Sequence, residues 1–197
     1  SSPLVAMNAA GQGIAVWVQR TTLPTMDSDI YSRRFTQAGG WASTPDLLMR
    51  TSGIGNLKSV VMDSTGTAHL AWSHDRPLGW QCAVSSQPLN GSWSTQDLET
   101  DNLATPMYVN ITEVEPALAL DANDNLLAGW RKKVSDTEYV PNFRWRIGNT
   151  WGAVVQTGLI SDLFSNNLAL AASDDGRAVA AWNYSPCAPA WAYAPTA

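Results

Sequence analysis

Ala117-Leu118-Ala119-Leu120-Asp121-Ala122-Asn123-Asp124-Asn125-Leu126-Leu127-Ala128-Gly129-Trp130 joins one apolar run to a second through an Asx-rich turn and closes on tryptophan. The same order of parts recurs three more times. Leu4-Val5-Ala6-Met7 leads to Trp17, Val60-Val61-Met62-Asp63 to Trp72, and Leu168-Ala169-Leu170-Ala171 to Trp182. Successive tryptophans lie 55, 58 and 52 positions apart. A period of this size marks a propeller, solenoid or array. Such a scaffold serves many unrelated functions, so the period speaks to architecture first.

Around each tryptophan the copy reads as four strands. In the first copy these fall at residues 4–7, 13–18, 30–36 and 41–49. The first connection runs from Asn8 to Gln12, with Gly11 free to take the positive φ of a bulged turn. Its counterparts start at Asp63, Asp121 and Ser173, side chains that can bond their own downstream backbone N–H. The first two strands are apolar on both faces, as strands between neighbouring sheets must be. The third and fourth are more polar, as at a solvated edge. Gly40-Trp41, Ser92-Trp93 and Thr150-Trp151 open the fourth strands, and helical spacing is almost absent. The pattern predicts an all-β, β-propeller-like array of about four four-stranded antiparallel blades. Their approximate bounds are 1–56, 57–114, 115–166 and 167–197, the last incomplete, with a fragment of a larger ring as the alternative. Trp17, Trp72, Trp130 and Trp182 are expected in equivalent buried core positions.

Composition narrows the partners. The 197 residues include 10 Trp, yet only 15% are charged; net charge is −5 and the pI about 4.8. The longest basic run is Arg131-Lys132-Lys133. This argues against a nucleic-acid partner, which needs a basic stripe, and against a polybasic membrane patch. No apolar stretch is long enough to span a bilayer. A start at Ser1-Ser2-Pro3 fits a removed signal peptide, a cut from a longer polypeptide, or a simple boundary. Cys82 and Cys187 are too few for a disulfide framework and are expected not to pair with each other. The sequons at Asn90, Asn110 and Asn183 are compatible with secretion.

From Val5 to Trp17 and from Leu118 to Trp130 the chain resembles the degenerate propeller repeats of bacterial secreted and cell-surface proteins. These are distantly similar to sialidase-type (BNR) repeats. The strict order Ser-x-Asp-x-Gly-x-Thr-Trp is not kept: Trp follows the turn glycine by six residues at Gly11, Gly66 and Gly176. The resemblance implies a propeller in an extracellular, cell-surface or periplasmic setting. It does not bring catalysis with it.

Reactive constellations are sparse. The sialidase Phe-Arg-Ile-Pro signature is absent, and Arg33, Arg34, Arg144 and Arg146 read as solvated third-strand faces, with an anion clamp as the alternative. Asp101, Glu113 and Glu115 lie in the longest connection, where acquired function or plain solvation could place them. His74-Asp75 has no Gly-x-Ser-x-Gly nucleophile to serve, and His69 reads as a packed, hydrogen-bonded residue. Residues 121–125 are the nearest approach to a calcium loop but match the other hairpin turns, so neither metal nor cofactor is expected. Sugar stacking would best use Trp80, with Arg76, His74 and Asp75 beside it. Trp191 and Tyr193, in the unfinished last copy, are expected to form an interaction edge. The leading expectation is a non-catalytic extracytoplasmic module acting through a protein partner or self-assembly, or as a structural part of a surface assembly. The alternative is a glycan-binding, lectin-like propeller. A second alternative is a glycoside hydrolase whose catalytic residues lie partly outside this chain.

Overall fold

Each pair of apolar runs folds back on itself as an antiparallel hairpin, and further strands add in sequence order. A computed structural model describes residues 3–20, 28–51, 56–76, 79–98, 115–133, 138–157, 161–162, 168–184 and 188–194. The chain divides into two compact units, Ser1–Asn110 and Ile111–Ala197. Among the described residues the only regular structure is strand, so the fold is all-β.

The first unit holds two sheets. One runs β1 (Leu4–Met7), β2 (Gly13–Arg20), β3 (Ser28–Thr36), with β4 (Gly40–Trp41) and β5 (Asp46–Thr51) both pairing with β3. The other is four-stranded: β6 (Asn56–Met62), β7 (Ala68–Arg76), β8 (Gly79–Gln87), β9 (Ser94–Asp97). The second unit begins with β10 (Ala117–Leu120), β11 (Leu126–Lys133) and β12 (Glu138–Ile147). The edge of β12 carries β13 (Thr150–Trp151), β14 (Val155–Gln156) and β15 (Ser161–Asp162). Its other sheet is β16 (Leu168–Ala172), β17 (Ala178–Tyr184) and β18 (Ala188–Ala194). All pairings are antiparallel.

The turn between first and second strands is made four times with one set of hydrogen bonds. Asn8 N reaches Gln12 O (3.0 Å), Asp63 N reaches Thr67 O (3.0 Å), Asp121 N reaches Asn125 O (3.1 Å) and Ser173 N reaches Arg177 O (2.8 Å). The fourth residue of each turn has positive φ: Gly11 (71°), Gly66 (85°), Asp124 (61°) and Gly176 (77°). Glycine meets that demand without steric cost, and aspartate is among the few side chains that tolerate it. The leading side chain completes the turn. Asp63 Oδ1 accepts from the N–H of Thr65 (3.0 Å) and Thr67 (2.7 Å), and Asp121 Oδ1 from Asn123 (2.8 Å) and Asn125 (2.9 Å).

The tryptophan then falls at the fifth residue of every second strand: Trp17 in β2, Trp72 in β7, Trp130 in β11 and Trp182 in β17. Inside the first unit, Ile14, Val16 and Ile30 of one sheet pack with Leu57, Leu70 and Trp72 of the next. Inside the second, Leu127, Phe143 and Trp145 pack with Ala178, Ala180 and Trp182. Both joints obey one rule: the Trp-bearing face of the later sheet meets the other face of the earlier one. Burying one indole removes about 200 Å² from water, worth roughly 5 kcal/mol as an upper bound. Trp72, Trp130 and Trp182 are all buried. Trp17 differs. It is half-buried, stacked on Tyr31 with centroids 6.1 Å apart and planes at 21°, beside the exposed Val5 and Met7. Its face is the one on which the rule would seat an earlier sheet.

Two expectations about the outer strands need correction. Arg34 is not solvated: it is buried between the two sheets of the first unit. There it donates to Gly66 O (2.7 Å), Gln87 Oε1 (3.0 Å) and Gln87 O. Burial pulls its pKa down while Asp46 and Asp63 oppose the shift. In the sheets of β1–β5 and β10–β15 the fourth strand is also not a single run. In the first sheet the edge breaks between β4 and β5 at a corner where Arg33 Nε donates to Ala42 O (2.6 Å). The corner after β13 repeats this, with Arg144 Nε donating to Gly152 O (2.6 Å).

Candidate functional site

The second and third strands of each sheet are joined at the end away from the repeated turns, and there the sequences diverge. In the first unit the joining end of β7 and β8 carries the residues singled out for sugar stacking. Register pairs His74 with Gln81, Asp75 with Trp80 and Arg76 with Gly79, so all four occupy the last three rungs of one ladder. The structure thus brings their backbones together; their side chains, and Pro77 and Leu78, lie outside the described residues. Trp191 and Tyr193 pair with Ala181 and Val179 on β17, and only that backbone register is described. Asp101, Tyr108, Glu113 and Cys187 also lie outside the described residues. Glu115 is buried, as is Cys82 on β8.

The hairpin of β11 and β12 holds the largest share of the chain's positive charge, with Arg131, Lys132 and Lys133 at its joining end and Arg144 and Arg146 toward its turn end. Of 12 Lys and Arg, Arg131, Lys132, Lys133, Arg144 and Arg146 all lie on this hairpin. In a chain of net charge −5 this is local concentration, not general basicity. Lys133 sits opposite Tyr139 and Lys132 opposite Val140; both lysines are half-buried, with part of each side chain in water. Arg131 is buried with its guanidinium carbon 4.7 Å from the centre of the Tyr139 ring, a cation–π contact on the strand face that Lys133 shares, while Lys132 lies on the opposite face. Burial pushes the Tyr139 phenol above its ordinary pKa, while Arg131 acts the other way. The phenol is therefore neutral at physiological pH.

Farther along the same hairpin, Arg144 and Arg146 approach Trp151, their guanidinium carbons 5.5 and 5.9 Å from its ring centre. Trp151 and both arginines are half-buried. The signal for these groups was present as charge pattern: a basic run too short for nucleic acid is long enough for a small anion.

An Asp–His–Ser series does exist, at the other end of the sheet. His69 Nδ1 lies 2.8 Å from Ser86 Oγ and Nε2 lies 3.4 Å from Asp63 Oδ2. His69 is fully buried, so the series anchors the turn and does not face substrate. Burial works to raise the pKa of Asp63, but bonds from Thr65, Thr67 and His69 outweigh it and hold the carboxyl below its usual range. Among the described residues no group of three or more His, Cys, Asp or Glu is arranged to hold a metal ion. Nor is any described helix long and apolar enough to cross a membrane.

No protein-family model matches the chain, and no curated protein matches it. Solved structures do. An ulvan lyase, described as representing a new polysaccharide lyase family, PL25, matches with a TM-score of 0.56 and 13% identity over 99% of this chain. The PL25 ulvan lyase bound to -[GlcA(1-4)Rha3S]- matches with a TM-score of 0.57, again at 13% identity over 99% of this chain. In each case the match covers 51% of the other protein, so the chain spans about half the length of the proteins it resembles. At this identity the likeness establishes a shared fold. It also overturns the leading expectation of a non-catalytic module working through protein partners: this is a fold found in polysaccharide-acting enzymes.

Proposed function

We propose that this chain handles an anionic polysaccharide, as part of a carbohydrate-active β-propeller whose blades are the sheets described above. The observation that carries the reading is the likeness of 99% of the chain to a lyase solved with a glucuronate- and sulfate-bearing glycan. The local chemistry supports it. Carboxylate and sulfate are recognised by cations, and Lys132 and Lys133 are two half-exposed ones at the joining end of the hairpin, with Lys133 on the same face as the buried Arg131. Elimination next to a uronate carboxylate is helped by a cation that neutralises the carboxylate, which stabilises charge developing at the adjacent carbon. The same end of the hairpin therefore suits binding and assists elimination chemistry. A substrate of this size acts outside the cell or at its surface, in keeping with the secreted propellers that the repeats resemble.

The test is titration of sulfated glucuronate-containing oligosaccharides against the chain, with neutral glycans as controls. The expected result is binding of the anionic ligands alone. A parallel assay follows ultraviolet absorbance of unsaturated uronate, the product of elimination, on the full-length protein. Equal or no binding of anionic and neutral glycans would end the proposal.

A further inference from the structure

The corner after β13 is built twice in the molecule, and the two versions differ by one charge. In the first sheet Arg33 Nε ties the corner through Ala42 O, and Trp41 packs edge-on against Phe35 with centroids 5.3 Å apart and planes at 63°. In the sheet of β10 to β15, Arg144 ties the corner in the same way through Gly152 O, and Trp151 stands opposite Arg146. Phe35 and Arg146 hold the same register place, opposite Trp41 and Trp151 respectively. The scaffold therefore needs the tying arginine and the indole. It does not need a second cation, because phenylalanine fills that place in the first sheet.

We infer that Trp151, Arg144 and Arg146 form a subsite for one anionic sugar residue, distinct from the Lys132–Lys133 end of the hairpin. Three features fit that ligand. A half-exposed indole offers an apolar face to the C–H side of a pyranose. Two guanidinium groups beside it, 5.5 and 5.9 Å from the ring centre, offer planar donors for a carboxylate or sulfate. The Arg144 Nε bond to Gly152 O fixes one guanidinium in advance, which lowers the ordering cost of binding. The inference rests on the anionic-polysaccharide reading and places a second contact on its chain.

Arg146→Phe copies the corner of the first sheet and so preserves packing while removing the charge. Titration with a sulfated glucuronate-containing oligosaccharide should show affinity reduced roughly tenfold in Arg146→Phe and in Trp151→Ala, the scale of one charge-assisted contact. Trp41→Ala, at the equivalent corner, should bind as the unaltered chain does, and thermal melting should show Arg146→Phe folded. If Arg146→Phe and Trp151→Ala bind normally while Lys132→Ala/Lys133→Ala loses binding, the subsite is wrong and the polysaccharide reading stands. If the unaltered chain binds no anionic glycan, both fall.

Discussion

At one end of β2, β7, β11 and β17 the chain makes the same bulged turn four times. At the other end the strands run out into Gln19-Arg20, His74-Asp75-Arg76, Lys132-Lys133 and Asn183-Tyr184, no two alike. The turn end closes on itself: leading side chain, backbone donors and left-handed residue satisfy one another, and His69 there is fully buried. The joining end differs in sequence from copy to copy, and in two copies carries a run of charged residues. A scaffold repeats where the chain must fold and varies where it is free to meet something else. The difference between the two ends therefore marks where the repeat is held constant and where it varies, without reference to any single motif.

The largest expected effect breaks the scaffold. Trp72→Ala or Trp182→Ala should lose about 3–5 kcal/mol in denaturant unfolding, because each empties a joint between sheets. Trp17→Ala, half-buried on an open face, should lose about 1–2 kcal/mol. Equal losses at all three positions would erase the distinction between a filled joint and an open face.

The turn is the next test. Gly66→Ala should cost about 2 kcal/mol or more, since φ is 85° and a Cβ there would collide with Gln12 Oε1. Asp124→Gly, at the matching place with φ 61°, should be within about 1 kcal/mol of neutral. A neutral Gly66→Ala would show that the four turns are alike in outline only.

Acid should act through the same turn. The folded-state pKa of Asp63 is depressed, so its contribution is present above the unfolded value of about 4 and is lost as pH falls through the folded value. Asp63→Ala should cost about 1–2 kcal/mol at neutral pH, with the gap to the unaltered chain shrinking on acidification. A gap independent of pH down through that window would remove the carboxylate from the account.

Much of the scaffold was legible in the residues. The apolar runs, the turn and the tryptophan predict the second strands, because each is a local rule satisfied within a few positions. Asp124 could be placed with the turn glycines by counting six back from Trp130. Arg34 could not be read so. A charged residue in a third strand looks solvated until the carbonyls of Gly66 and Gln87, supplied by another sheet, are seen around it. The broken edge strands also depend on tertiary bonds, those of Arg33 and Arg144 to their corners. As for the site, Arg131-Lys132-Lys133 is visible in the chain as a basic run too short for nucleic acid or a membrane patch, and its length alone does not point to a smaller anion. The placement of Tyr139 beside Arg131 and of Trp151 beside Arg146 needed the strand register.

The smallest effect on stability belongs to the joining end, and it carries the central claim. Lys132→Ala/Lys133→Ala should change unfolding by no more than about 0.5 kcal/mol, as for partly exposed surface positions. The decisive measurement is calorimetric titration of a sulfated glucuronate-containing oligosaccharide into the unaltered chain and this variant, at two salt concentrations. The account predicts binding that weakens with salt and drops at least tenfold in the variant. Salt-independent binding with equal affinity in both proteins, or none in either, would contradict it.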